Sequence, residues 1–119
     1  MSSATRLYLS NDTSARAAGA GLLADAWADR PEVQLIRLSS RGAFFLEPMV
    51  ERDGPDGRVA WFNVTPEDLP SILAGTGGTP VRAIPYLANQ TRVTFANFGE
   101  TEPLALDEYQ ARGGLVGLE

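Results

Sequence analysis

The stretch RLSSRGAFFLEPMV, residues 37–50, gathers the side chains of this chain best placed to do chemistry. It reads as a strand, a turn built on Ser39, Ser40, Arg41 and Gly42, and a Glu47-Pro48 step into another strand. Turns of this shape often carry a redox pair or a metal cluster on their backbone, yet this one holds no cysteine. Ser39 or Ser40 as a nucleophile would need a base, and the chain has neither histidine nor lysine to supply one. The plainer expectation is that both hydroxyls bond the backbone of their own turn. Arg41, flanked by aromatic residues, suits an interface anchor, although a solvated arginine is the commoner fact.

Two zeros exclude whole classes of chemistry. Without cysteine there is no thiol nucleophile, no disulfide, no thiolate-held zinc and no all-cysteine iron–sulfur cluster. Without histidine there is no Ser-His-Asp triad, and the commonest transition-metal ligand is missing. Carboxylates, arginine, tyrosine and serine remain, and they need a pocket to act. Asp107 and Glu108 are neighbours in sequence and would not face each other on a helix, so charge compensation at a helix N-terminus is the expected role. The glycine-rich GTGGTP at 75–80 lacks the strand-to-helix setting of a phosphate cradle and reads as a flexible break.

The elements that must position these residues follow from periodicity. Residues 5–9 alternate polar and apolar as a first strand, and residues 13–29 read as one alanine-rich helix. Its apolar face would be Gly19, Ala20, Leu23, Ala26 and Trp27, with the small residues allowing close approach to a sheet. Residues 33–38 form a second strand, and DGPDG joins two more strands as a hairpin. Thr65, Pro66 and Asp68 cap a helix that buries Leu69, Ile72 and Leu73 and stops at Gly75. Pro70 should make its first turn irregular. Beyond it, TRVTFANF suits a strand and LALDEYQAR a short helix ended by Gly113-Gly114.

At 119 residues and 44% apolar content the chain can bury one modest core. Its net charge of −5 and pI near 4.7 argue against nucleic acid and anionic membrane surfaces. No apolar run approaches the roughly 20 residues of a membrane span. The start lacks the basic and apolar regions of a signal peptide, so a cytoplasmic location is expected. The order β-α-β-(α/turn)-β-β-α, with a C-terminal extension, predicts an α+β fold with one mixed sheet in a thioredoxin-like layout.

The chain resembles the thioredoxin-like [2Fe–2S] ferredoxin domain of NADH-dehydrogenase-type modules in degenerate form. That family holds its cluster with a C-x4-C pair and a C-x3-C pair, which fall here on Ser10 and Ala15 and on Ser40 and Phe44. EPMV matches the step into the third strand, where such folds often place a cis-proline, and VTPEDL matches the opening of the last helix. Residues 86–118 look like the opening of the flavin- and NADH-binding subunit. The match there is an aromatic followed by Gln90 and Arg92, then Asn97, Gly99 and Pro103, then Asp107, Glu108, Tyr109, Gly113 and Gly114. A cysteine-free domain before that opening is most similar to the beta subunit of NAD-dependent, molybdenum-containing formate dehydrogenases, with NAD-reducing hydrogenases near relatives.

The resemblance implies a thioredoxin-like domain over 1–75, and over 76–119 a linker and the beginning of the flavin/NADH-binding core. It implies no cofactor in this chain and FMN, NAD and a [4Fe–4S] cluster in the parent subunit. The implied partners are the cluster-bearing thioredoxin-like subunit and the molybdenum catalytic subunit. The implied work is docking, with Arg41, Phe44 and Phe45 as interface candidates, inside a complex that oxidises formate and reduces NAD+. Phe44 and Phe45 are further expected to fill the space that a cluster would occupy. Two other readings stay open: a stand-alone binding or regulatory module of this fold, and a small enzyme using arginine and carboxylates. A deep pocket beside Arg41 would favour the enzyme.

Overall fold

The computed structural model describes residues 4–89 and 105–114. Five strands, β1 (Thr5–Ser10), β2 (Val33–Leu38), β3 (Val50–Gly54), β4 (Gly57–Trp61) and β5 (Thr79–Pro80), form one mixed sheet in the order β2-β1-β3-β4-β5. β1 and β2 run parallel with Leu7 opposite Leu35, as their helical connection requires. The β3–β4 hairpin adds antiparallel strands, and Gly57 at φ +118 closes its turn. An α+β fold with a mixed sheet, compatible with the thioredoxin-like layout, is what the alternation and turn chemistry predict.

The expected single helix over 13–29 is two: α1 (Thr13–Ala17) and α2 (Ala20–Trp27), with Gly19 at φ +113 between them. A Cβ on Gly19 would lie 3.9 Å from the Pro48 ring, so this break is where the helical connection passes the Glu47-Pro48 bond, which is cis. The break resets the helical phase. Ala20, Leu23, Ala24 and Trp27 become the stripe over the sheet, and Ala26, expected on that face, is exposed. These residues pack with Leu7, Leu9 and Val50 from one sheet face and with Leu69 and Ile72.

A 3-10 turn, Pro66–Asp68, precedes α3 (Leu69–Ala74), which is the irregular start that Pro70 demands. Asp68 accepts the Thr65 N–H at 2.8 Å, and Gly75 ends the helix at φ +77. Arg52, reaching out of β3, donates to the Ile72 and Leu73 carbonyls at 2.9 and 2.8 Å and so satisfies the C-terminal end of α3 from the sheet.

GTGGTP is a packed crossing, not a flexible break. The indole of Trp61 donates to the Thr76 carbonyl at 2.9 Å. A Cβ on Gly78 would collide with Val59 and come within 2.8 Å of the Trp61 ring. Only glycine lets the backbone pass so close, and the chain then enters the sheet as β5 beside β4. Beyond it, a 3-10 turn and α4 (Pro85–Ala88) cover part of the other sheet face, where Ile84 packs with Met49 and Ala60. The described chain after Gly75 is therefore packed on the sheet through Leu87. α5 (Leu106–Ala111) forms where expected and Gly113 follows it at φ +90. The TRVTFANF segment, with Gln90, Arg92, Asn97, Gly99 and Pro103, lies outside the described residues, as does the Tyr109 side chain. Among the described residues no helix is long and apolar enough to cross a membrane.

Candidate functional site

The parallel strands β1 and β2 end side by side, and their exits are tied together. Asn11 N–H donates to the Leu38 carbonyl at 2.8 Å, and Ser40 N–H donates to Asp12 Oδ2 at 2.7 Å. From there the turn closes on itself. Gly42, at φ +89, donates its N–H to Ser40 Oγ at 3.0 Å, an inward bond that serine offers turns in general. The Ser40 hydroxyl then donates to Glu47 Oε1 at 3.0 Å, and Met49 N–H donates to Glu47 Oε2 at the same distance. One carboxyl thus holds both ends of the turn.

A second carboxyl sits beside it. Glu51 and Asp53 share one face of β3, with Glu51 opposite Tyr8 of β1 and Asp53 opposite Arg58 of β4. Glu51 accepts a bidentate pair from Arg41, at 2.8 and 3.0 Å, and a further bond from Arg58 at 3.1 Å. Arg58 also reaches Asp53 at 3.1 Å and stacks over the Tyr8 ring with its Cζ 3.5 Å from the centroid. The Tyr8 hydroxyl donates to Asp53 at 2.7 Å. Burial first and the Asp53 bond second push the Tyr8 phenol above its ordinary value.

Tyr8, Ser10, Ser39, Ser40, Arg41, Glu47 and Glu51 line a cavity of about 10 Å³, enough for one water and far below what a metabolite fills. Glu47 is 6% and Glu51 5% exposed. The two differ in kind. Glu51 has two guanidiniums, whereas none of the ion pairs among the described residues includes Glu47. Burial raises the Glu47 carboxyl, and the charges of Glu51 and Asp12 add to the rise, against the lowering by its bonds to Met49 N–H and Ser40.

Of the four positions that align with cluster cysteines, the structure brings two to one cavity. Ser10 and Ser40 line the cavity, but their hydroxyls are engaged by Asp12 N–H, Gly42 N–H and Glu47. Ala15 is buried in the apolar core and offers no donor atom, and Phe44 points away at 63% exposure. Filling of the turn by Phe44 and Phe45 is overturned as well, since Phe45 is 64% exposed. The ion pairs already close that space, and the 3-10 turn Phe44–Leu46 sends Leu46 toward the second core and both phenylalanines outward. Phe45 meets Tyr86, itself 47% exposed, edge to face with centroids 5.5 Å apart. Of the interface candidates, Phe44 and Phe45 are displayed, and Arg41, with a 13% exposed side chain, ties their turn to β3.

Tyr86, Glu47 and the Tyr8–Arg58–Glu51 set were not picked out from the sequence. Glu51 carried a weak signal, because alternation in MVERDG sets it on the same strand face as Met49. Tyr86 carried none, since its contact with Phe45 spans two segments that only the sheet brings together. A scan against protein-family models finds no match to the chain, and a search of curated proteins finds none.

Proposed function

We propose that the chain is a non-catalytic thioredoxin-like domain that docks subunits of an electron-transfer complex through the face carrying Phe44, Phe45 and Tyr86. The observation that carries this reading is that pair of phenylalanines, displayed at the surface and backed by a buried ion-pair network, on a turn that the resemblance aligns with a cluster-holding one. Rigid aromatic side chains over a fixed base are what interface anchors require. A cavity with room for one water supports a binding role over an enzyme acting beside Arg41.

By the resemblance of its sequence, the partners are the cluster-bearing thioredoxin-like subunit and the molybdenum subunit of a cytoplasmic, NAD-dependent formate dehydrogenase. The flavin/NADH-binding subunit would be the parent of this domain. The parent reaction converts formate and NAD+ to CO2 and NADH, with FMN, NAD and the [4Fe–4S] cluster held outside this chain. The test begins with the size of the native polypeptide in source cells, by blotting with an antibody against this domain. A band several times larger than 12.8 kDa, in a complex that reduces NAD+ with formate, supports the reading. A band at 12.8 kDa that does not travel with such a complex overturns it and leaves an independent binding module.

A further inference from the structure

The β3–β4 hairpin carries two Asp-Gly steps in its DGPDG turn, Asp53-Gly54 and Asp56-Gly57. In such a step a backbone amide can attack the preceding side-chain carboxyl, since glycine puts no Cβ in the way. The fold treats the two steps differently. Both carboxylate oxygens of Asp53 are taken, Oδ2 by the Tyr8 hydroxyl at 2.7 Å and Oδ1 by Arg58 Nε at 3.1 Å. Gly54 is crowded too, with the Gly57 carbonyl oxygen 2.9 Å from where its Cβ would lie. Asp56 is exposed at the tip, and among the described residues its carboxyl enters no hydrogen bond or ion pair. Gly57 has nothing within 4 Å of its Cβ position. The Gly54–Gly57 pair closes the hairpin beside both steps, so its opening does not distinguish them.

One contact singles out the second step. Arg82, in the 3-10 turn after β5, donates Nη1 to the Asp56 carbonyl at 3.1 Å. That oxygen belongs to the same peptide unit as Gly57 N. When this amide gives up its proton to attack, negative charge spreads through the peptide onto the oxygen, where a guanidinium already sits.

We propose that Asp56-Gly57 is a site of spontaneous covalent modification, closing to a succinimide that reopens as isoaspartate, with Arg82 promoting the closure. Gly57 N loses its proton and bonds to Asp56 Cγ, the Cγ–OH bond of the protonated carboxyl breaks, and one water leaves. Water then adds at the former main-chain carbonyl and breaks its bond to Gly57 N, so that the chain runs on through Cγ. Addition at Cγ instead restores aspartate. No oxidant or reductant takes part. Isoaspartate keeps a carboxylate but lengthens the backbone by one methylene close to Arg58, whose guanidinium holds Glu51, Asp53 and the Tyr8 ring. The modification acts on that ion-pair network and stands independently of the docking reading.

The test is ageing of the purified chain at physiological temperature, followed by peptide mapping with mass spectrometry. The succinimide reads as the loss of one water, and isoaspartate as resistance to an endoprotease that cuts before aspartate. Isoaspartate should build up at position 56 in clear excess over position 53. In urea, with the fold removed, the two should form at similar rates. Arg82→Gln should slow formation at 56 by about two- to fivefold, the range an exposed charge contact supports, and leave 53 unchanged. Arg82→Lys keeps a cation and should restore part of the rate. Equal or greater modification at 53 in the folded chain, or none at 56, overturns the proposal. A rate at 56 that is unchanged or higher in Arg82→Gln refutes the promotion, because losing a mere restraint on the turn would speed the step.

Discussion

Glu51→Ala is the perturbation that most directly probes how the aromatic turn is fixed to the sheet. Glu51 is 5% exposed and accepts both Nε and Nη2 of Arg41 as well as Nη1 of Arg58. Removing it takes away the bidentate pair that ties Arg41 to β3, while Arg58 keeps Asp53 and the Tyr8 ring. Breaking a buried pair by deleting one partner costs about 3–5 kcal/mol, because the surviving charge stays buried without compensation. For a domain of this size that corresponds to a fall in Tm of about 12–20 °C, taking roughly 4 °C per kcal/mol. Urea unfolding followed by circular dichroism measures it, and an unchanged m-value shows that the native fold was kept. The double variant Arg41→Met/Glu51→Leu should recover most of the loss, since replacing a buried pair by apolar groups of similar volume is close to neutral. A loss under about 1 kcal/mol for Glu51→Ala would place this set with exposed surface pairs and refute its part in fixing the turn.

Phe44→Ala/Phe45→Ala should leave stability within about 0.5 kcal/mol per site, as exposed substitutions do, and abolish partner capture in a pull-down with the purified cluster-bearing subunit. Unchanged capture, or a core-sized loss of stability, contradicts the displayed-anchor reading. Gly78→Ala should destabilise by about 1–3 kcal/mol in denaturant titration, because its Cβ collides with Val59 and Trp61. The pH dependence has two windows of the same sign. Glu47 and Tyr8 are both acids raised in the fold, so each contribution is fully present below the unfolded value and is lost as pH rises through the folded one. The acid-side loss begins above 4.5 and should vanish in Glu47→Gln; the alkaline loss begins above 10.0 and should vanish in Tyr8→Phe. Ser40→Ala/Glu47→Met should stay within about 1.5 kcal/mol of wild type, since both partners of a buried bond go together, while Gly42 loses its exchange protection.

What the sequence disclosed follows the range of the interactions. Alternation in TRLYL and VQLIRL, the turn residues of DGPDG and the Thr65-Asp68 cap are local, and each formed where it was expected. The misreadings came from partners far along the chain. Gly19 lies beside Pro48, GTGGTP is bonded and packed against Trp61, and the turn of Phe44 and Phe45 is tied through Arg41 to Glu51. The candidate site was legible as a place, since Ser10 and Ser40 do line one cavity. Its chemistry was not, because a hydrogen-bonded glutamate seven residues from its serine leaves no periodic trace.

The space between the β1 and β2 exits could have been filled by an apolar plug, and on energy alone a plug would serve as well as buried ions. Here the space holds two carboxyls, two guanidiniums, a phenol and serine hydroxyls, nearly all committed in direction. Hydrogen bonds fix angles, whereas apolar contacts fix only volumes, and a bidentate guanidinium fixes a plane. The difference matters most for the residues above it. Phe44 and Phe45 have no core beneath them to set their position, and the Tyr86 edge contact alone would tolerate many turn conformations. Arg41 on Glu51 and Ser40 on Asp12 tie the turn to the strands and Ser40 on Glu47 closes it, which narrows the arrangements open to its aromatic pair. An interface built on such anchors loses less conformational entropy on binding than one built on a loose loop. On the proposed docking reading, that is a physical reason for the aromatic pair to rest on a polar network, the phenylalanines making the contact and the network holding them ready for it.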